Sequence, residues 1–315
     1  MKYEKQHQTS NVDTNPHDFR KGIFYGVLAV FIWGTYLAVS RYALTTSTLE
    51  AVDIAFIRAT VSGLIMLVWI MIKHKTFVPE IRQTGVKKML VLACCVGPPF
   101  VFISVSGYEY APLVNGGVLM PVGFVLAGLI FAARFLGDKF EPKKMIGVLI
   151  MLLGLGLLAG SDIFIGNSAA LFGDFLFFLS GILWASFAVS QRFWQVQPVI
   201  ATASVGIVSL LIYSPIYLMF FGFERLRNIA IEQLIIQGVV QGLLAGVIAM
   251  ILFSLAVKNI GAARASLFPA LLPITTLVVG LPLTGELLTY LQSIGTLVVL
   301  SGLVFMLMPK LSFTR

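Results

Sequence analysis

Long apolar stretches follow one another almost without interruption from Gly22 to Met308, and the second half of the series resembles the first at an offset of about 150 residues. Windows of roughly 20 apolar residues are what a helix needs to cross a bilayer. Segments such as Met145–Leu158 and Leu287–Met308 are apolar all round, so they present no polar face to water. Of the 315 residues, 58% are hydrophobic and only 11% charged, too few charges to coat a soluble domain of this length. The expected fold is an all-α membrane protein with ten transmembrane helices. The spans fall near 22–40, 52–72, 88–106, 112–135, 145–161, 170–190, 199–221, 233–256, 262–284 and 287–308.

Residues 1–21 read as a polar cytoplasmic tail with the composition of a disordered segment, and 309–315 as a short cytoplasmic tail. The first apolar run begins only at Gly22 and is long enough to span, so it reads as a retained helix rather than a cleaved signal. Cys94 and Cys95 are adjacent in an apolar helix, where their side chains diverge, and read as inert packing residues.

The net charge of +8 raises the question of a nucleic-acid partner, which the placement of the charges answers. With the N-terminus in the cytosol, eighteen Lys and Arg residues fall on the inner side, among them Lys73, Lys75, Lys87, Lys88, Lys143 and Lys144. Only Arg41, Arg225 and Arg227 fall outside, and Arg58 lies within a span. This is a positive-inside pattern; it accounts for the basic balance without nucleic acid and puts both termini in the cytoplasm of a bacterial inner membrane.

The internal repeat has a definite register. Trp33-Gly34-Thr35-Tyr36-Leu37-Ala38-Val39-Ser40-Arg41 corresponds to Trp184-Ala185-Ser186-Phe187-Ala188-Val189-Ser190-Gln191-Arg192 at an offset of 151. Leu119-Met120-Pro121-Val122 corresponds to Leu271-Leu272-Pro273-Ile274 at 152, placing a proline inside the fourth and ninth spans alike. Gly137-Asp138 corresponds to Gly285-Glu286, Gly147 to Gly295 and Gly154 to Gly302, all at 148. Five helices per repeat is an odd number, so the second repeat (170–308) must enter the membrane inverted relative to the first (22–161). Inverted repeats can exchange conformations around a central cavity, open first to one side and then to the other.

These residues resemble the drug/metabolite transporter superfamily, and within it the EamA-type ten-helix transporters. Trp33-Gly34, Phe56-Ile57-Arg58-Ala59, Pro121, Pro273 and the two acidic turns carry the resemblance, which runs over nearly all of 22–308. It implies a polytopic carrier that moves small metabolites, often outward, through a cavity between the halves. Asp138 stands where the family usually has Glu, and the fourth helix is entered through Tyr108-Glu109-Tyr110-Ala111-Pro112 rather than an alanine-rich segment.

Several residues are candidates for the substrate site, each with a structural alternative. Arg58 is the one unambiguous charge inside a span; it must face a cavity or a partner, either anchoring a substrate carboxylate or phosphate or making a structural pair. Asp53 lies five residues earlier and off its face. Trp33, Tyr36 and Trp184 suit an aromatic wall for an amphiphile, or else simple helix packing. Gln237 and Gln241 share one face of the eighth span, next to the Gly238, Gly242, Gly246 stripe; they and Asn115 serve either substrate contact or interhelical hydrogen bonds. Pro98, Pro121, Pro269 and Pro273 each remove a helical hydrogen bond and mark candidate bends.

Glu109, Asp174 and Glu286 are placed at solvated helix ends, so no coupling carboxylate stands out; proton or counter-substrate coupling is left open. No catalytic motif, metal cluster or cofactor signature is present, which argues against an enzyme. The expected function is secondary transport of a small metabolite, an amino acid or similar amphiphile, by alternating access, with export the expected direction. A lipid or lipid-carrier flippase is the rival within the superfamily, and a non-transporting scaffold the distant one. Oligomeric state is not written in the sequence.

Overall fold

In lipid the backbone has no water to bond to, so each apolar run must satisfy its own amides, and the chain becomes helices joined by short turns. The computed structural model describes residues 16–137, 142–164, 166–260, 265 and 268–307. Helices α1 (Pro16–Thr46) and α2 (Ala51–Ile72) form a first pair, followed by the short α3 (His74–Thr84). α4 (Val86–Val96) and α5 (Pro98–Tyr110) are two segments of one apolar run, broken at Gly97. α6 (Leu113–Phe131) ends in a π-helical turn over 132–136, and α7 (Pro142–Phe164) follows.

The second half comprises α8 (Ser168–Phe193), α9 (Pro198–Arg227) and α10 (Ile231–Gln237), which continues through a π-helical stretch, Gly238–Ile248, into α11 (Ala249–Ile260). A 3-10 turn, Phe268–Leu271, leads into α12 (Leu272–Thr284), and α13 (Tyr290–Leu307) closes the bundle. Among the described residues, seven helical stretches are long and apolar enough to cross a membrane, and two further apolar helices, in α12 and α13, are shorter. The exposed side chains along the bundle are themselves apolar: Leu153 is 69% exposed, Leu211 66% and Met219 75%, surface that belongs in lipid rather than water.

The strongest helix pairings join the two halves of the chain. α1 lies along α11 and α12, α2 along α9, and α7 along α13, while α6 and α8 form another extensive contact. Between α7 and α13 the approach is close enough for backbone to touch backbone: a Cβ on Gly154 would stand 2.8 Å from the Gly295 carbonyl oxygen, and one on Gly302 2.8 Å from that of Gly147. Small residues permit such crossings because lipid supplies no hydrophobic pressure and packing must come from proximity.

Folding gives the prolines and glycines of these spans definite local roles. The third span is not continuous: Pro98 and Pro99 have no N–H to donate to the carbonyls of Cys94 and Cys95, so the helix restarts at Gly97. Pro121 does sit inside α6, but Pro273 occupies the first turn of α12 and Pro269 the 3-10 turn before it, where a missing N–H costs nothing. The prolines of the fourth and ninth spans therefore play different local roles. Gly137 and Gly285 both end their helices in the left-handed region, with φ of 72° and 68°, a conformation that favours glycine. Asp138 lies outside the described residues, as do 1–15 and 308–315 of the two tails and most of 261–267 in the ninth span.

Candidate functional site: a cavity at the centre of the bundle

Side chains from α1, α2, the α4–α5 break, α6, α8, α9, the π-helical stretch, α11 and α12 line a cavity that is partly open to solvent. Trp33 and Tyr36 reach it from α1, Arg58 and Ser62 from α2, and Trp184 and Phe187 from α8. Of the residues expected to line a site, Trp33, Tyr36, Arg58 and Trp184 are brought together here, and Pro98, expected to bend its helix, lines the cavity with them. Trp33 and Trp184, which correspond in the internal repeat, meet edge to face with ring centroids 5.4 Å apart and planes at 81°.

Arg58 dominates the electrostatics of this wall. Its guanidinium carbon lies 5.3 Å from the Tyr36 ring centroid, within reach of a cation–π contact. Nη1 is buried without a hydrogen-bond acceptor among the described residues. Among the described residues, no Asp or Glu lines the cavity. The carboxylate nearest to it in sequence, Asp53, is committed elsewhere, as described below.

The remaining candidates lie outside the cavity wall. Gln241 donates from Nε2 to the Ser40 hydroxyl at 2.7 Å, and Ser40 donates to the Tyr36 carbonyl at 2.7 Å, so this amide ties the π-helical stretch to α1. Gln237 is fully buried and also away from the cavity. Asn115 donates from Nδ2 to Asp174 Oδ1 at 2.7 Å, linking α6 to α8. Asp174, expected at a solvated helix end, is only 5% exposed and is held inside the helix interface by this hydrogen bond.

Sequence reading missed the contribution of α9. Thr202, Val205, Gly206 and Ser209 all line the cavity, and their spacing of i, i+3, i+4 and i+7 is the signature of one helix face. The signal was present in the pattern of small and hydroxylated residues, but nothing in the sequence alone says which face of an all-apolar helix looks inward. The α4–α5 break contributes Val96, Gly97 and Pro98 through the proline pair described above.

One end of the bundle, where α1 ends and α2 begins, carries two ion-pair clusters. Arg225 of α9 holds Asp53 in a bidentate grip, Nε to Oδ1 at 2.7 Å and Nη2 to Oδ2 at 3.0 Å, and reaches Glu50 at 2.9 Å. Tyr217 donates to Asp53 Oδ1 at 2.5 Å, and the Glu50 N–H to Oδ2 at 2.8 Å, so the fully buried carboxylate is saturated. Gly222, at φ 69°, breaks α9 just before Arg225 and lets the chain turn back toward α2. In the second cluster Arg41 donates to Glu286 Oε1 at 2.5 Å and to the Tyr108 carbonyl, while Glu286 Oε2 accepts from the Leu113 N–H at 2.8 Å, capping α6. Glu286, too, was expected in solvent.

The EamA-like transporter family model matches residues 20–160 and 171–308, so the chain belongs to the EamA-like transporter family. It is a multi-pass membrane protein of a transport family. The uncharacterized transporter YyaM of Bacillus subtilis (strain 168) is 25% identical over 239 residues, covering 72% of this chain and 76% of that relative. A solved crystal structure, described only as that of a protein, superposes with a TM-score of 0.57 over 90% of this chain and 94% of its own, at 14% identity. That likeness concerns the fold alone.

Proposed function

We propose that the protein is a secondary transporter of the bacterial inner membrane that exports a small amphiphilic metabolite by alternating access. The reading takes the chain as ten spans in two inverted repeats, 22–161 and 170–308, with both termini cytoplasmic. The observation that carries it is the central cavity, walled by Trp33, Tyr36, Arg58 and Trp184 and drawn from both halves of the chain. Support for inversion comes from reciprocal contacts: the close approaches of Gly147 to Gly302 and of Gly154 to Gly295 exchange with each other under the sequence correspondence, as a pseudo-twofold axis requires.

The ion-pair clusters suggest how access alternates. Arg41–Glu286 and Asp53–Arg225 each join a residue of the first repeat to one of the second, at the end that the charge distribution assigns to the outside. In this reading the cavity is closed outward, and breaking both cross-links precedes release. The basic residues gather at the other end, where Lys88 lies 6.0 Å from the Trp194 ring and Lys143 5.5 Å from the Phe305 ring.

The test is uptake and efflux from proteoliposomes against a metabolite panel, with and without a pH gradient. Flux of at least one amphiphile, reduced in Trp33→Ala and Arg58→Ala at unchanged protein levels, is the expected result. No flux for any compound, or flux indifferent to both substitutions, overturns the proposal.

A further inference from the structure

We infer that the cavity selects an organic monocarboxylate with an aromatic or branched apolar body, in preference to a zwitterionic amino acid or an amine. The inference rests on the transport reading above and narrows its substrate class. It starts from the electrostatic imbalance of the cavity wall. Arg58 places a positive charge there, and no Asp or Glu among the lining residues offsets it. The two ion-pair clusters use Glu50, Asp53 and Glu286 to satisfy Arg41 and Arg225, leaving none of these for Arg58.

An arginine held inside a membrane protein without a counter-charge is costly, and a bound anion removes that cost by supplying the missing acceptor. A guanidinium matches a carboxylate geometrically, since two N–H groups can address two oxygens. A second donor is at hand: Ser209 lines the same cavity, and its buried hydroxyl has no hydrogen-bond partner among the described residues. One cation with neutral hydroxyls suits a single negative charge; a dianionic phosphate ester would call for a second cation. An ammonium group, by contrast, would enter a wall that has no carboxylate to receive it and already carries a cation. A zwitterion would leave the net charge of the site as it was.

The apolar part of the ligand follows from the rest of the wall. Trp33, Trp184, Phe100 and Phe187 offer ring faces and edges, and Met120 and Met250 offer adaptable thioethers. The site therefore combines the Arg58 cation and the Ser209 hydroxyl with a largely apolar wall.

Phenylacetate, phenylalanine and phenethylamine carry the same ring with a net negative, zero and positive charge, and they are the probes. Binding to the purified full-length chain in nanodiscs is read from quenching of tryptophan fluorescence, since Trp33 and Trp184 stand in the cavity wall. Phenylacetate should bind about tenfold more tightly than phenylalanine, with phenethylamine weakest. Arg58→Gln should abolish the preference, and Arg58→Lys, which keeps the charge, should retain its order. Equal or tighter binding of phenylalanine or phenethylamine, a phenylacetate preference that survives Arg58→Gln, or binding of none of the three at millimolar concentration would overturn the inference. Because binding is read without flux, the two proposals fail separately: Arg58-dependent phenylacetate binding with no transport of any compound sinks the transport reading alone, and efficient transport of zwitterions with no acid preference sinks this one alone.

Discussion

Arg225 and Arg58 are both held by the helical bundle, yet their surroundings are opposite. Arg225 is surrounded by acceptors, two oxygens of Asp53 and one of Glu50, while the Tyr217 hydroxyl donates to the same Asp53. Arg58 has an aromatic ring beside it, a cavity in front of it and no acid within that cavity. The difference teaches where each residue's free energy is settled. A charge whose partners are built into the fold stabilises the closed end of the bundle, whereas a charge left without them makes the fold depend less on it and makes binding depend more.

The contrast can be broken by substitution. The largest effect on stability belongs to Asp53→Asn, which leaves Arg225 facing a neutral amide at the centre of a saturated cluster; a loss of about 3 kcal/mol is expected, read as a lowered unfolding midpoint in detergent. If Asp53→Asn leaves that midpoint in place, the cluster is not what holds α2 to α9. Arg41→Gln comes next. Its pair with Glu286 is partly exposed, so the expected loss is about 1 kcal/mol, and cysteine-labelling of the cavity from the α1–α2 end should become faster. Unchanged labelling would deny that the pair closes that end.

Smaller effects sharpen the other side of the comparison. Gln241→Leu removes the bond to Ser40 between the π-helical stretch and α1, and should cost about 0.6 kcal/mol with flux largely kept, measured side by side in detergent and in proteoliposomes. A collapse of flux with intact stability would move Gln241 into the transport machinery. Arg58→Met should cost nothing in stability, or raise the midpoint slightly, while flux falls at least about tenfold. A destabilised Arg58→Met protein would mean that this arginine has a structural partner after all.

How much of this was legible depended on whether the relevant physics was local. Trp33 and Trp184 could be matched by register alone, and they do meet in the cavity wall. Arg58 was recognisable because a charge in an apolar run is anomalous wherever it occurs. Asp53 and Glu286 were not readable as cross-linkers, because their partners lie 172 and 245 residues away. Gln241 and Asn115 were marked as inward-facing amides, but only packing decides whether such an amide meets a ligand or another helix. Thr202 and Ser209 were overlooked because an all-apolar helix gives no sign of which face is wet.

The sequence by itself determined that the chain is helical and lipid-embedded, how its halves correspond, and which few side chains are too polar for lipid, since all three follow from composition and periodicity along the chain. The tertiary structure decided which of those polar side chains are spent on one another and which one is left facing a cavity. That allocation is a matter of distance in space, set by how tightly helices with small residues at their crossings can approach, and no local pattern encodes it.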